Sequence, residues 1–185
     1  MGVMDEEKAW ISRSQSGDQA AFESLIRAHQ RMIHSLTYRM TGSLADAEDL
    51  AQETFMRAYH QLDGFRSESK FSTWLCRIAV NACINWHRRE HRRGELQRQW
   101  AGENLQAESL RPSNSENDAA SRAVQNALNR LPPKLRAAIV LTVYDELNHA
   151  EAAKVLGCAE ATVSWRVFAA RRKLRRWLAL TGGGR

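Results

Sequence analysis

Apolar residues recur at gaps of three and four along most of this chain, and that period admits little besides helix. In residues 18–40 the positions Phe22, Leu25, Ile26, His29, Met32, Ile33, Leu36 and Met40 form one stripe on one helix face. Asp18 is placed to cap its start, and Thr41-Gly42-Ser43 stops it and caps the next. Residues 44–62 carry Leu44, Ala47, Leu50, Ala51, Phe55, Ala58 and Leu62 on one side, with Asp46, Asp49, Gln52 and Glu53 on the other. A third helix from residue 72 runs into an arginine cluster, and Phe71, Leu75, Ile78, Ala82 and Trp86 make its apolar face. From residue 94 to 120 the period fades. Residues 109–118 read as a polar linker with one proline, although Trp100, Leu105 and Leu110 remain available for docking. Periodicity returns at 121 with Val124, Ala127, Leu128 and Leu131, ended by Pro132-Pro133. A second helix carries Leu135, Ala138, Ile139 and Thr142. Two more are hinged at Gly157, the last with Val163, Val167, Ala170, Leu174 and Trp177 before a glycine tail. The expected fold is all-α: two small helical domains, 1–93 and 121–185, joined by a flexible linker, 94–120. With only 3 prolines and 10 glycines in 185 residues, an all-β reading is poor.

The net charge of +6 hides an asymmetry. Residues 1–63 hold ten acids and six bases, whereas residues 64–185 hold eleven acids and twenty-one bases. Arg88, Arg89, Arg92, Arg93 and Arg98 form one basic cluster. Arg166, Arg171, Arg172, Lys173, Arg175 and Arg176 form another, and no acid follows Glu160. Two basic clusters in separate segments suit a polyanion gripped at two points. No apolar run approaches the ~18 residues of a membrane span, and the acidic N-terminus lacks an apolar signal core, so a cytoplasmic chain without membrane insertion is expected. Three cysteines, an odd number, argue against a disulfide framework.

Three constellations carry chemistry. Ala153, Gly157 and Val163 have helix-turn-helix spacing: a small residue for close approach, a glycine for a left-handed turn, and a packing residue on the second helix. Thr162, Ser164, Trp165, Arg166 and Ala169 are then the expected major-groove residues, with Arg171, Lys173, Arg175 and Arg176 on phosphates. Asp49, Gln52 and Glu53, at offsets of three and four, share a helix face suited to a basic helical partner; no nucleophile or metal set accompanies them. In the stretch from Phe65 to Arg92, Phe65, Phe71 and Trp74 lie among Arg66, Lys70, Asn81 and Asn85. Aromatics among cations and amides suit unstacked single-stranded bases, with stacking worth roughly 1–3 kcal/mol per base; the alternative places some of these aromatics in the core. His87-Arg88-Arg89-Glu90-His91 fits a metalloprotease pattern, but its arginines repel a divalent cation and no third ligand follows. Cys76 and Cys83 share a helix face and are expected to pack as small hydrophobes.

Asp46-Ala-Glu-Asp-Leu-Ala-Gln-Glu-Thr-Phe55 and Phe65-Arg-Ser-Glu-Ser-Lys-Phe-Ser-Thr-Trp-Leu-Cys-Arg-Ile-Ala-Val-Asn81 closely resemble sigma domain two of bacterial extracytoplasmic-function sigma factors. Leu131-Pro-Pro-Lys-Leu-Arg136 through Leu174 resembles sigma domain four. The resemblance covers about residues 18–93 and 121–178. It implies that Asp49, Gln52 and Glu53 dock on the clamp coiled coil of the RNA polymerase largest subunit. It implies that Phe65, Arg66, Lys70, Phe71, Trp74, Asn81 and Asn85 belong to the part that captures a flipped minus-ten base, with Arg77, Arg88 and Arg89 near promoter phosphates. Thr162, Ser164, Trp165, Arg166, Arg171, Arg172 and Lys173 would serve the minus-thirty-five element. An anti-sigma factor is the further partner implied. The chain departs from the family at Ser164, Trp165 and Ala169, and at Asn148-His149-Ala150, so no upstream consensus transfers.

The expected function is promoter recognition and strand opening as a dissociable polymerase subunit, with no enzyme activity and no cofactor. A free-standing repressor or activator explains residues 121–178 equally well but leaves Asp49, Gln52 and Glu53 idle. A metal-dependent hydrolase is a distant third.

Overall fold

The computed structural model describes residues 3–101 and 116–182, with side-chain surroundings for 5–96 and 120–179. Its elements are α1 (Val3–Gln15), α2 (Gln19–Thr41), α3 (Leu44–Gln61), a single 3-10 turn (Leu62–Gly64), α4 (Phe71–Ala101), α5 (Glu116–Asn129), α6 (Pro133–Val143), α7 (His149–Leu156) and α8 (Glu160–Gly182). Among the described residues there is no strand, as the apolar period requires.

Local chemistry sets the boundaries. The Asp18 carboxylate accepts from the Ala21 amide at 3.1 Å and starts α2. That bond, with Arg13 beside it, holds the carboxyl below its ordinary range. Gly42 ends α2 in the left-handed region at φ 78°, and Ser43 caps α3. Asn148 and Glu151 form a reciprocal capping box at the head of α7.

In the first half, α2, α3 and α4 bury Leu25, Ile33, Leu36, Met40, Leu50, Leu75 and Val80 between them. Helix α1, which shows no stripe in the sequence, closes one side through long-range bonds. Glu7 meets His29 at 2.7 Å, and the Gln15 amide donates to the carbonyls of Leu62 and Phe65, each at 3.0 Å. In the second half, α6, α7 and α8 bury Leu135, Val140, Leu141, Val155, Val163 and Val167.

The two halves do not stand apart. Helices α6 and α7 pack on α2 and α4, and one apolar cluster runs through both halves. Arg136 of α6, only 3 % exposed, reaches across. Its guanidinium donates to the carbonyls of Met40, Asn129 and Leu131. Met40 O also meets His87 Nε2 at 2.7 Å, and the Arg39 guanidinium lies 4.2 Å over the Tyr144 ring. The two helical halves expected from the sequence are thus present, and in this arrangement they also pack against each other. Helix α4 continues to Ala101 and α5 begins at Glu116, both inside the stretch read as linker. Residues 102–115, with Leu105, Leu110 and the proline, lie outside the described residues, as do the side chain of Trp100 and the end of the glycine tail.

Candidate nucleic-acid and partner interfaces

On α3 the inward turn of Leu50, Ala51 and Thr54 obliges Asp49 and Gln52 to face solvent, and both are exposed. Glu53 is half-buried and ion-paired with Arg57 one turn on. Beside this face, between α2 and α3, runs a groove of about 460 Å³ lined by Ile26, Arg31, His34, Glu48, Gln52 and Phe55. Ile26, Arg31 and His34 come to it from α2, a neighbour that the period of α3 alone does not disclose.

The loop before α4 folds otherwise than expected. Phe65 is 7 % and Phe71 2 % exposed. Their rings pack edge to face at 5.5 Å, and each lies 5.1–5.5 Å from the half-buried Trp74. Phe65 and Phe71 therefore offer no face to a base. They are core residues, held there because an apolar ring between α1, α2 and α4 is worth more buried than exposed. What the loop does present is Arg66 and Lys70, around a turn with Ser67 at φ 55°. Arg77, Asn81, Asn85, Arg88 and Arg89 continue along α4, all exposed at helical spacing, so one polar and basic stripe runs from the loop down the helix. Arg88 and Arg89 carry no ion pair among the described residues, whereas Arg93 meets Glu90 at 3.3 Å. Helix α7 lies against the same loop. Lys70 Nζ is 3.6 Å from a Glu151 oxygen, and a cavity of about 230 Å³ separates Glu68, Thr73, Trp74 and Arg77 from Lys154 and Val155.

The helix-turn-helix has its expected skeleton. Gly157 is left-handed at φ 58°, and Val163 and Ala153 are both buried. Val163, Val167 and Ala170 fix the rotation of α8, so Ser164, Trp165, Phe168, Arg171, Arg172 and Lys173 face outward. Two expectations change. Ala169 is buried, at 8 % exposure, and offers no face to a groove. Arg166 is half-buried, with its guanidinium donating to Cys158 Sγ at 3.5 Å. Phe168 is also exposed, on the same face as Trp165 three residues before it. Thr162 is half-buried, and Ser164 Oγ lies 2.9 Å from His149 Nδ1.

No group of three or more His, Cys, Asp or Glu side chains with metal-holding geometry occurs among the described residues. His87 of the H-x-x-E-H pattern is spent on Met40 O. Burial pushes the Cys76 and Cys83 thiols up to about 12, so both are protonated at neutral pH.

Comparison with known proteins agrees on both halves. A family description, Sigma-70 region 2, matches residues 25–93, and another, Sigma-70 region 4, matches residues 121–174. The chain is 35 % identical over 179 residues to the ECF RNA polymerase sigma factor SigW of Bacillus subtilis, covering 92 % of this chain and 96 % of that one. It is 37 % identical to the ECF RNA polymerase sigma-E factor of Escherichia coli K12, covering 87 % and 88 %. Among solved structures, CnrH in complex with the cytosolic domain of CnrY superposes with a TM-score of 0.72 at 26 % identity, over 95 % of this chain and 98 % of that one. The sigma factor RpoE of Bartonella quintana, in complex with the anti-sigma factor NepR, gives 0.68 at 25 % identity, over 89 % and 98 %.

Proposed function

The chain belongs to the ECF RNA polymerase sigma factors, and on that premise we propose how its surfaces divide the work of starting transcription. Such proteins are transcription initiation factors: they join core RNA polymerase and direct it to promoters. Residues 1–93 act as the part that holds polymerase and opens DNA, and residues 121–185 as the part that reads the upstream element. Asp49 and Gln52, with Glu53 and the α2–α3 groove beside them, form the seat for the clamp coiled coil of the largest polymerase subunit. Exposed carboxylates with an apolar floor suit a basic amphipathic helix. The stripe of Arg66, Lys70, Arg77, Asn81, Asn85, Arg88 and Arg89 takes the unpaired nontemplate strand at the minus-ten element. Its cations neutralise phosphates while Asn81, Asn85 and Trp74 meet bases. Binding the unpaired strand more tightly than the duplex shifts the equilibrium toward opening, and no hydrolysis is needed. The exposed face of α8 takes the minus-thirty-five element.

The observation that supports this reading is the presence, in one small fold, of exposed Asp49 and Gln52 on α3, an exposed polar and basic stripe on α4 and an exposed basic face on α8. A lone repressor has no use for the first two. The similar structures of CnrH and RpoE were solved with CnrY and with the anti-sigma factor NepR; we extend to this chain control by an anti-sigma factor. No described helix is long and apolar enough to cross a membrane, and the cytoplasm, where polymerase works, is the location we assign.

The test is co-migration of the full chain with core RNA polymerase. Asp49→Ala together with Glu53→Ala is expected to weaken assembly at least tenfold while leaving helical content unchanged. Assembly at wild-type strength would remove the docking role.

A further inference from the structure

We propose that Trp165, with Phe168 beside it, reads the 5-methyl group of thymine in the major groove of the upstream promoter element. The inference rests on α8 being the duplex-reading helix, as argued above, and adds what that helix reads.

The first observation is exposure. Trp165 is 63 % and Phe168 60 % exposed, three residues apart on one face of α8. The buried set of Val163, Val167, Ala169 and Ala170 fixes the rotation of the helix, so neither ring can turn inward. Two large rings held in water need a use.

The second is what the polar neighbours do instead. Ser164 Oγ donates to Glu160 O at 3.2 Å and lies 2.9 Å from His149 Nδ1. Arg166 is turned onto Cys158 Sγ. The groups best suited to hydrogen-bond a base edge at this end of the helix are already engaged within the protein. The two aromatic rings are the forward groups left.

The third is charge. The apolar pair leads straight into the exposed Arg171, Arg172, Lys173, Arg175 and Arg176, with no acid after Glu160. That run suits the phosphates flanking a groove. Of the groups that base pairs present in the major groove, the thymine methyl is the apolar one, and apolar side chains recognise it.

The test uses holoenzyme, the full chain with core RNA polymerase. Duplexes are selected from a pool randomised upstream of a fixed minus-ten region, and each thymine of the recovered element is then replaced singly by deoxyuridine, which lacks only the methyl. Wild-type holoenzyme is expected to lose about fourfold in affinity at one or more positions, the value of one buried methyl group. Trp165→Ala erases that difference at the same position, and Trp165→Phe keeps part of it. Unchanged circular dichroism of Trp165→Ala controls for folding. Equal binding of thymine and deoxyuridine at every position overturns the proposal, and so does an element without thymine. Discrimination that persists in Trp165→Ala and Phe168→Ala also overturns it, and would leave the pair to a protein partner. Loss of selection altogether, or a salt dependence untouched by Arg171→Ala with Arg172→Ala, removes the duplex-reading helix itself and is a separate result.

Discussion

Arg136 keeps a full charge inside the protein. Burial brings its guanidinium down to about 10, still protonated at neutral pH, and among the described residues no carboxylate pairs with it. Three backbone carbonyls take its protons instead, from Met40 in one half and from Asn129 and Leu131 in the other. Arg136→Ala strands the carbonyls of Asn129 and Leu131, at about 1–3 kcal/mol for each group, while Met40 O keeps its contact with His87. A loss of roughly 2–4 kcal/mol in chemical denaturation is expected. Asp145 is the opposite case. Desolvation raises its carboxyl from 3.8 to about 7, opposed by the charge of Arg39, and its Oδ2 has no hydrogen-bond partner. A folded-state value above the unfolded one means that Asp145 supports the fold fully below about pH 4 and loses that support as pH rises through about 7. His87, lowered by burial, runs the other way: its support holds above 6.5 and falls away as pH drops through its folded value. Asp145→Asn is therefore expected to raise the melting temperature more at pH 8 than at pH 5, by roughly 2–4 °C for each kcal/mol relieved. An equal change at both values would place the carboxylate in water. At this scale the sequence was readable where a residue's role follows from its period, as for Leu36 or Val163. It was unreadable for Phe65 and Phe71, because a ring that can stack on a base can equally fill a core. Only the arrival of α1 and α2 around them decides which.

Helices α2, α3 and α8 are where sequence and structure agree best, since each has both a stripe and a local cap or turn. Helix α1 has neither. Its position is set by Ile11, buried in the core, and by Glu7 with His29 and Gln15 with the carbonyls of Leu62 and Phe65, partners 22, 47 and 50 residues away. No window-based reading contains such contacts. Two of the left-handed glycines, Gly42 and Gly157, separate local from tertiary demands. At Gly157 an added Cβ meets open space, so Gly157→Ala carries only the left-handed backbone penalty, roughly 1–2 kcal/mol. At Gly42 an added Cβ would come within 2.2 Å of Asn129 Nδ2, in the side chain whose oxygen accepts from Arg136 and Gln125. Gly42→Ala is expected to cost more than Gly157→Ala in the same denaturation experiment. The reverse order would mean that the Asn129 contact yields without loss. Helix α8 has the clearest skeleton and the least expected surface. Its rotation was legible from Val163, Val167 and Ala170, but the diversion of Arg166 to Cys158 and of Ser164 to His149 was not, because both are set by side-chain packing across the turn.

Taken whole, the molecule holds its proposed single-strand stripe and its recognition helix in one packed body, joined at Arg136, Arg39 and Lys70. The all-α class and the two halves were legible from the period alone. Their mutual packing was not, since Met40 and Arg136 lie 96 residues apart and nothing local marks them as partners. The central claim, that these surfaces make core polymerase open promoters, is tested most directly by run-off transcription. Core RNA polymerase is supplied with the full chain or with Asn81→Ala, on duplex and on premelted templates of the same promoter. The account predicts initiation from discrete start sites only when the chain is present, with Asn81→Ala impaired severalfold more on duplex than on premelted DNA. No initiation with the wild-type chain, or equal impairment on both templates, would contradict it.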